Sequence, residues 1–236
     1  MKILWIIPIT GSDGSDEDNI KEYLNKFTFP ETEVIIKTVS RGTESIESRL
    51  DETYAIPPIL DEALKGQKDG VDACIIGCGG DAGVMVAKEV LSIPVIGPGE
   101  ASIVISQLIG KRVVVITTLP DRIPSLEDTI ARLISPSKFF IYPIDMPVLE
   151  LQDDVNKTKK RIVQVIKKSI EKDRADTAIL SCLGMQGMAR DIEMELPIPV
   201  IDPTAAAIEM AQVLVKMKLS QAKKAYPFPR GKRRFL

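Results

Sequence analysis

The chain has 236 residues, 44% of them hydrophobic and 27% charged, with a formal net charge of −2. That is the composition of an ordinary soluble protein, and it excludes a global attraction to nucleic acid or to a membrane surface. Histidine is absent, so acid–base chemistry near neutral pH must come from Cys, Asp, Glu, Lys or Tyr, and the commonest metal ligand is missing.

The chain opens with MKILWIIPITGSDGSDED. One Lys, a short apolar run and then acids do not make a signal peptide, which needs a longer apolar core and a small-residue cleavage site. The opening reads as a first strand, Lys2–Ile7. Three cysteines are too few for a disulfide framework, which predicts a cytoplasmic protein with reduced thiols. Further strands are expected at Glu33–Val39, Ala73–Gly77 and Val95–Ile96. A second set is expected at Arg112–Thr117, Phe139–Tyr142, Thr177–Ser181 and Val200–Ile201. These runs are almost continuously apolar, as parallel strands covered on both faces should be. Between them LEDTIARLI and VNKTKKRIVQVIKKSIEK carry helical periodicity. Strands alternating with helices predict a doubly wound α/β fold. The longest apolar stretch, Ala101 to Pro120, is broken by Gln107, Lys111 and Arg112 and cannot span a bilayer.

The two strand sets read as an internal repeat. DACIIGCGGDAG, from Asp72, aligns with DTAILSCLGMQG, from Asp176, and IPVIGPGEA, from Ile93, aligns with IPVIDPTAA, from Ile198. All βα units share a strand, a Gly turn and a helix, but a shared Asp, Cys, Gly and Ile-Pro-Val in one order favours duplication. The expectation is two pseudo-symmetric lobes with parallel central sheets and an active-site cleft between them. Residues 1–98 with 205–236 would form the first lobe and residues 99–204 the second. The segment from Lys216 to Leu236 holds eight Lys or Arg and no acid. It reads as a solvated tail rather than a nucleic-acid contact, because Pro227 and Pro229 resist regular structure.

Ligands of parallel α/β sheets bind at the carboxyl ends of the strands. Cys78 and Cys182 both stand there, before glycine turns and helix starts. The N–H groups and dipole of a helix N-terminus should lower a thiol's pKa and favour the thiolate. Two such thiols facing each other across a cleft suit inversion of a carbon stereocentre: one removes a proton and the other returns one to the opposite face. The enolate between them needs oriented donors, which the backbone of CGGDAG and CLGMQG could supply. A lone cysteine is more often a small buried hydrophobe. The matched pair is what points to function, and Cys74, opposite Ala178 in the repeat, reads as core. No metal site is expected from three Cys without His or a CxxC pair. No cofactor is needed either: no Lys-Ser/Thr follows GCGGDAG, so it is not a P-loop, and its loose GxGxxA match is absent from the second copy. Thr117 and Thr118 end a strand at the same sheet edge. Pro8, Thr10 and Gly11 follow the first strand, and SRGTESIES, with Ser45, follows the second. For these the plain alternatives are turns and helix caps.

RGTESIES, DACIIGCGGDAG, IPVIGPGEA, VVVITT, SCLGM and the ending AYPFPR, in this order and spacing, resemble the aspartate/glutamate/hydantoin racemase superfamily, most closely its hydantoin and allantoin racemase branch. The resemblance covers nearly the whole chain. It implies two pseudo-symmetric α/β lobes and cofactor-independent racemisation with Cys78 and Cys182 as the proton-transfer residues. It also implies that Gly79, Gly80, Leu183 and Gly184, after the two cysteines, bind a small-molecule substrate's oxygens together with Thr118. Members are often oligomeric, so a homo-oligomer is an expectation of the resemblance alone. The first strand of that superfamily usually ends in Asn-Pro-Asn-Thr, where this chain has Ile7-Pro8-Ile9-Thr10. A more apolar loop predicts a more apolar substrate side chain. Two other readings stay open here: a two-cysteine cis–trans isomerase in which one thiolate attacks carbon, and a non-catalytic binding module.

Overall fold

The computed structural model describes residues 1–11, 14–135 and 138–232. Among the described residues eight strands and eight α-helices alternate. The first half runs β1 (Lys2–Ile7), α1 (Gly14–Asn25), β2 (Glu33–Thr38), α2 (Arg49–Lys68), β3 (Ala73–Ile76), α3 (Val84–Val90) and β4 (Val95–Ile96). The second runs α4 (Pro98–Ile109), β5 (Val113–Thr117), α5 (Ile123–Leu133), β6 (Phe139–Pro143), α6 (Val155–Asp173), β7 (Thr177–Leu180), α7 (Ala189–Glu193), β8 (Val200–Ile201) and α8 (Pro203–Met217). Two four-stranded sheets result, ordered β2-β1-β3-β4 and β6-β5-β7-β8, and every pairing is parallel. The two-lobed α/β class expected from the sequence is observed, and each expected strand is found to within one residue at its ends.

The repeat holds in register. Ile3 pairs with Ala73 in the first sheet as Val113 pairs with Thr177 in the second, and Ile75 meets Ile96 as Ile179 meets Ile201. One residue before each of those leading pairs, an aspartate fastens the strand start. Asp72 accepts the Lys2 N–H at 2.7 Å, and Asp176 accepts those of Lys111 and Arg112 at 2.9 and 3.0 Å.

Side chains alternate across each strand, and this divides the core into layers. Leu4, Ile6, Cys74 and Ile76 face outward onto α2 and α3, through Ala55, Ile59, Ala63, Val84 and Ala87. Val114, Ile116, Ala178 and Leu180 face outward onto α6 and α7, through Ile162, Val163, Ile166, Ala189 and Ile192. The other faces of both sheets share one central cluster. There Trp5, Ile75, Val115 and Ile179 join Leu126 and Ile130 of α5 and Ala207 and Ile208 of α8. The strands are apolar on both faces because both faces are covered. Cys74, fully buried in the outer layer of the first sheet, is a core residue as expected.

The chain after α8 is largely exposed, as a solvated tail should be, but it is anchored to the first sheet. β4 is only two residues long and leaves open backbone groups at the sheet edge, and unpaired backbone groups there need partners. Gln221 supplies them: its Oε1 accepts from Val95 N at 3.2 Å, and its Nε2 donates to the Leu91 and Ile93 carbonyls at 2.8 and 2.9 Å. Lys223 Nζ then donates to the carbonyls of Lys88 and Glu89, and Lys88 lies over the Tyr226 ring. The last four residues of the predicted tail, 233–236, lie outside the described residues.

Candidate active site

The carboxyl ends of β1, β3 and β7 converge on one cavity of about 890 Å³. Cys78, immediately beyond β3, and Cys182, immediately beyond β7, both border it, as do Thr10, Gly79, Leu183 and Gly184. The two cysteine loops touch. A Cβ added to Gly79 would sit 1.8 Å from the Ser181 carbonyl oxygen and 3.3 Å from Cys182 N, so only glycine lets the backbones approach this closely. Each loop then turns through a left-handed glycine at the same repeat position, Gly83 (φ 77°) and Gly187 (φ 78°).

Four other expected site residues do not border the cavity. Thr117 and Thr118 are buried, and their carbonyls accept from Ile144 N and Met146 N at 2.9 and 3.2 Å. They fasten the segment that leads to Val148 and Leu149, which do line the cavity. Gly80 lies behind the wall, where its Cβ would fall 2.6 Å from Arg122 Nη2. Ser45 donates to Glu47 Oε2 at 3.0 Å, and Glu47 Oε1 accepts the Val148 N–H at 2.8 Å, so this pair joins the first lobe to the second.

The expectation of acidified thiols is not supported, although both cysteines are only partly buried where they border the cavity. No long helix begins at either cysteine: α3 starts at Val84, and a short 3-10 turn, Leu183–Met185, follows Cys182. Burial is the dominant influence and disfavours the charged form. It raises the Cys78 thiol against the opposing N–H groups of Ala82 and Gly80 and the Arg122 guanidinium, and Asp81 adds to the rise. It pushes Cys182 up to about 12, opposed by the Gly184 N–H, with Cys78 and Glu47 adding to the rise.

Several bordering or adjacent residues were not legible as site residues. Ile20, Val148 and Leu149 line the cavity alongside Ile46 and the Ile7 and Ile9 that the sequence places at the substrate, so much of the wall is apolar. Asn19, Gln152 and Gln186 add polar groups. Arg122 follows β5 in the turn TTLPDR and is buried against Glu52 at 2.9 Å. A charged residue just past a strand's carboxyl end was the available signal, but its partner on α2 is 70 positions away. A second depression, of about 550 Å³ at the start of α6, is lined by Asp145, Lys157 and Arg161 and meets none of the expected site residues. Among the described residues no group of three His, Cys, Asp or Glu side chains could hold a metal, and no helix is long and apolar enough to cross a membrane.

Matched thiols at equivalent strand ends of two pseudo-symmetric parallel sheets, bordering one shared cavity, define a two-lobed α/β scaffold with a cavity between the lobes. The chain belongs to the Asp/Glu/hydantoin racemase family, whose pattern it matches over residues 16–211. It is 33% identical over 204 residues to a hydantoin racemase of Pseudomonas sp. strain NS671, covering 86% of this chain and 82% of that one. With a hydantoin racemase of Rhizobium meliloti it shares 34% over 190 residues, 80% of this chain and 79% of the relative. Its fold superposes on the crystal structure of an allantoin racemase from Pseudomonas fluorescens with a TM-score of 0.92, at 29% identity and with 100% of each chain covered. The named relatives are hydantoin and allantoin racemases, and the protein is an isomerase of their family.

Proposed function

We propose that the protein racemises 5-substituted hydantoins or closely related amino-acid derivatives, with Cys78 and Cys182 as the two proton-transfer groups. The observation that carries this reading is that both thiols border one cavity whose remaining wall is largely apolar. In the proposed reaction a thiolate on one side removes the proton from the carbon next to the carbonyl, leaving an enolate. The opposing thiol gives its proton to the other face. The substrate leaves inverted, with the proton now on the first cysteine and the charge on the second. The backbone after each cysteine, at Gly79 and Leu183, lies where it could face the enolate oxygen. A buried thiolate is a stronger base than an exposed one, which suits a weakly acidic carbon, at the cost of a smaller thiolate fraction at neutral pH.

Ile7 and Ile9 in the cavity wall support a substrate whose 5-substituent is alkyl or aryl rather than the polar ureido group of allantoin. The test is proton NMR in D2O on single enantiomers of alkyl and aryl hydantoins, allantoin, aspartate and glutamate, with optical rotation followed in parallel. The expected result is deuterium entry coupled to loss of rotation, fastest for the alkyl and aryl hydantoins. A preference for allantoin would refute the apolar-substituent reading. No exchange with any substrate would refute racemisation, and a stable adduct on one cysteine would favour the cis–trans isomerase.

A further inference from the structure

The two thiols are alike in sequence position but not in electrostatic surroundings. The Arg122 side chain is only 7% exposed and donates from Nη2 to Glu52 Oε1 at 2.9 Å. That same nitrogen occupies the space beside Gly80 where a side chain would begin. The backbone N–H groups of Gly80 and Ala82 favour negative charge on the Cys78 sulfur. The guanidinium therefore stands directly behind the Cys78 loop. It does not border the cavity, so it acts through the loop and not on substrate.

Around Cys182 the arrangement is different. One backbone N–H, that of Gly184, favours negative charge on the sulfur. The nearby charge is the Glu47 carboxylate, fixed from two sides by Ser45 Oγ and Val148 N. The charged and titratable groups acting on Cys78 are Asp81 on its own loop and Arg122 from the turn after β5, with Glu52 of α2 paired to that arginine. Those acting on Cys182 are Cys78, Glu47 and, as the smallest contribution, Arg122. On Cys78 a cation and two N–H donors favour negative charge against the Asp81 carboxylate; on Cys182 one N–H donor and the same cation favour it against the Glu47 carboxylate and Cys78 itself.

We propose that Arg122, held by Glu52 behind the Cys78 loop, is a positioning residue that makes Cys78 the proton acceptor and Cys182 the proton donor of the resting enzyme. The inference rests on the two-cysteine reading for its chemistry, but its test needs no turnover. The free enzyme takes its first proton from the enantiomer whose C–H faces Cys78. After inversion Cys78 carries that proton and Cys182 is the thiolate.

The experiment is alkylation by iodoacetamide across a pH series, with the rate at each cysteine read by peptide mass spectrometry, on the wild type and on R122K, R122M and E52Q. In the wild type Cys78 should react at lower pH than Cys182. R122M should displace the Cys78 profile upward by about one pH unit, the order expected for loss of a nearby opposite charge. R122K should restore it, and Cys182 should move less. E52Q removes the charge that offsets the guanidinium and should move Cys78 to lower pH. An unmoved Cys78 profile in folded R122M, or a larger displacement at Cys182, overturns the proposal. If R122M does not fold, an unmoved profile in E52Q overturns it. If the profiles move as expected while no substrate racemises, the racemase reading falls and the electrostatic assignment stands.

Discussion

The loops that follow Cys78 and Cys182 do the same structural work with differently placed residues. In the first lobe Asp81, on the cysteine loop, reaches forward and accepts the N–H groups of Gly99 and Glu100 at the start of α4, at 2.8 and 2.7 Å. In the second lobe Asp202, at the start of α8, accepts from Thr204 in its own helix and reaches back to the Gly187 N–H on the cysteine loop, both at 2.8 Å. Either carboxylate ties a cysteine loop to a helix N-terminus, where N–H groups lack partners and negative charge is favoured. The tie survives although the residue supplying it has changed ends. The surroundings have diverged further. Burial and the neighbouring Glu100 raise the Asp81 carboxyl above the ordinary carboxylate range. Asp202 instead accepts a 2.8 Å hydrogen bond from Tyr23, and burial and that carboxylate raise the Tyr23 hydroxyl well above its usual range. A duplicated scaffold thus keeps its geometry while its two thiols acquire different electrostatic settings.

The comparison can be broken most directly at the thiols. C78S and C182S should each lower racemisation by about 10²- to 10⁴-fold, the scale of a lost general acid or base. If the lobes differ as argued, the losses differ between enantiomers: C182S should retain deuterium exchange on the enantiomer that faces Cys78, and C78S should not. Equal exchange of both enantiomers by either variant would contradict two opposed proton-transfer groups.

Next in size is the contact between the loops. G79A drives a methyl into the Ser181 backbone and should cost about 2 to 3 kcal/mol in urea unfolding, because a well-packed site must move to admit it. At Gly184, in the other cysteine loop, the added carbon meets chiefly the flexible end of Leu151 at 2.8 Å, so G184A should cost about 1 kcal/mol or less. Equal costs would mean that the close approach at Gly79 is not a constraint.

The smallest expected effects are the pH dependences of two aspartates. Asp81 is raised in the folded state, so its contribution to stability is complete at low pH and is lost as pH rises above the ordinary carboxylate range. Asp176 is the opposite case. Burial works against its charge, but the Arg112 and Lys111 N–H groups and the Thr177 hydroxyl outweigh burial and lower it. Its contribution is therefore present at neutral pH and lost as pH falls below the ordinary carboxylate range. Melting temperatures from pH 3 to 9 should show the decline between about pH 4 and about pH 8 flattened in D81N and the acid decline flattened in D176N. Unchanged slopes in both variants would refute these assignments.

Much of this protein was legible in its sequence because much of it is local. Apolar runs of strand length, helical periodicity between them and the matched Asp72/Asp176 and Cys78/Cys182 pairs follow from spacing along the chain. They predict the element order, two parallel sheets and both thiols at equivalent strand ends. Three dimensions decided the rest. Whether Thr117 borders the cavity or braces the segment behind it depends on which loop covers β5. Gln221 meets the β4 edge only because α8 returns the chain to the first sheet. Arg122 and Glu52, 70 residues apart, form a pair only when the lobes close on each other. The acidity of the thiols was misjudged for the same reason. Sequence shows the glycine turn that follows each cysteine, but desolvation, the largest influence on both sulfurs, depends on the tertiary surroundings of the two loops.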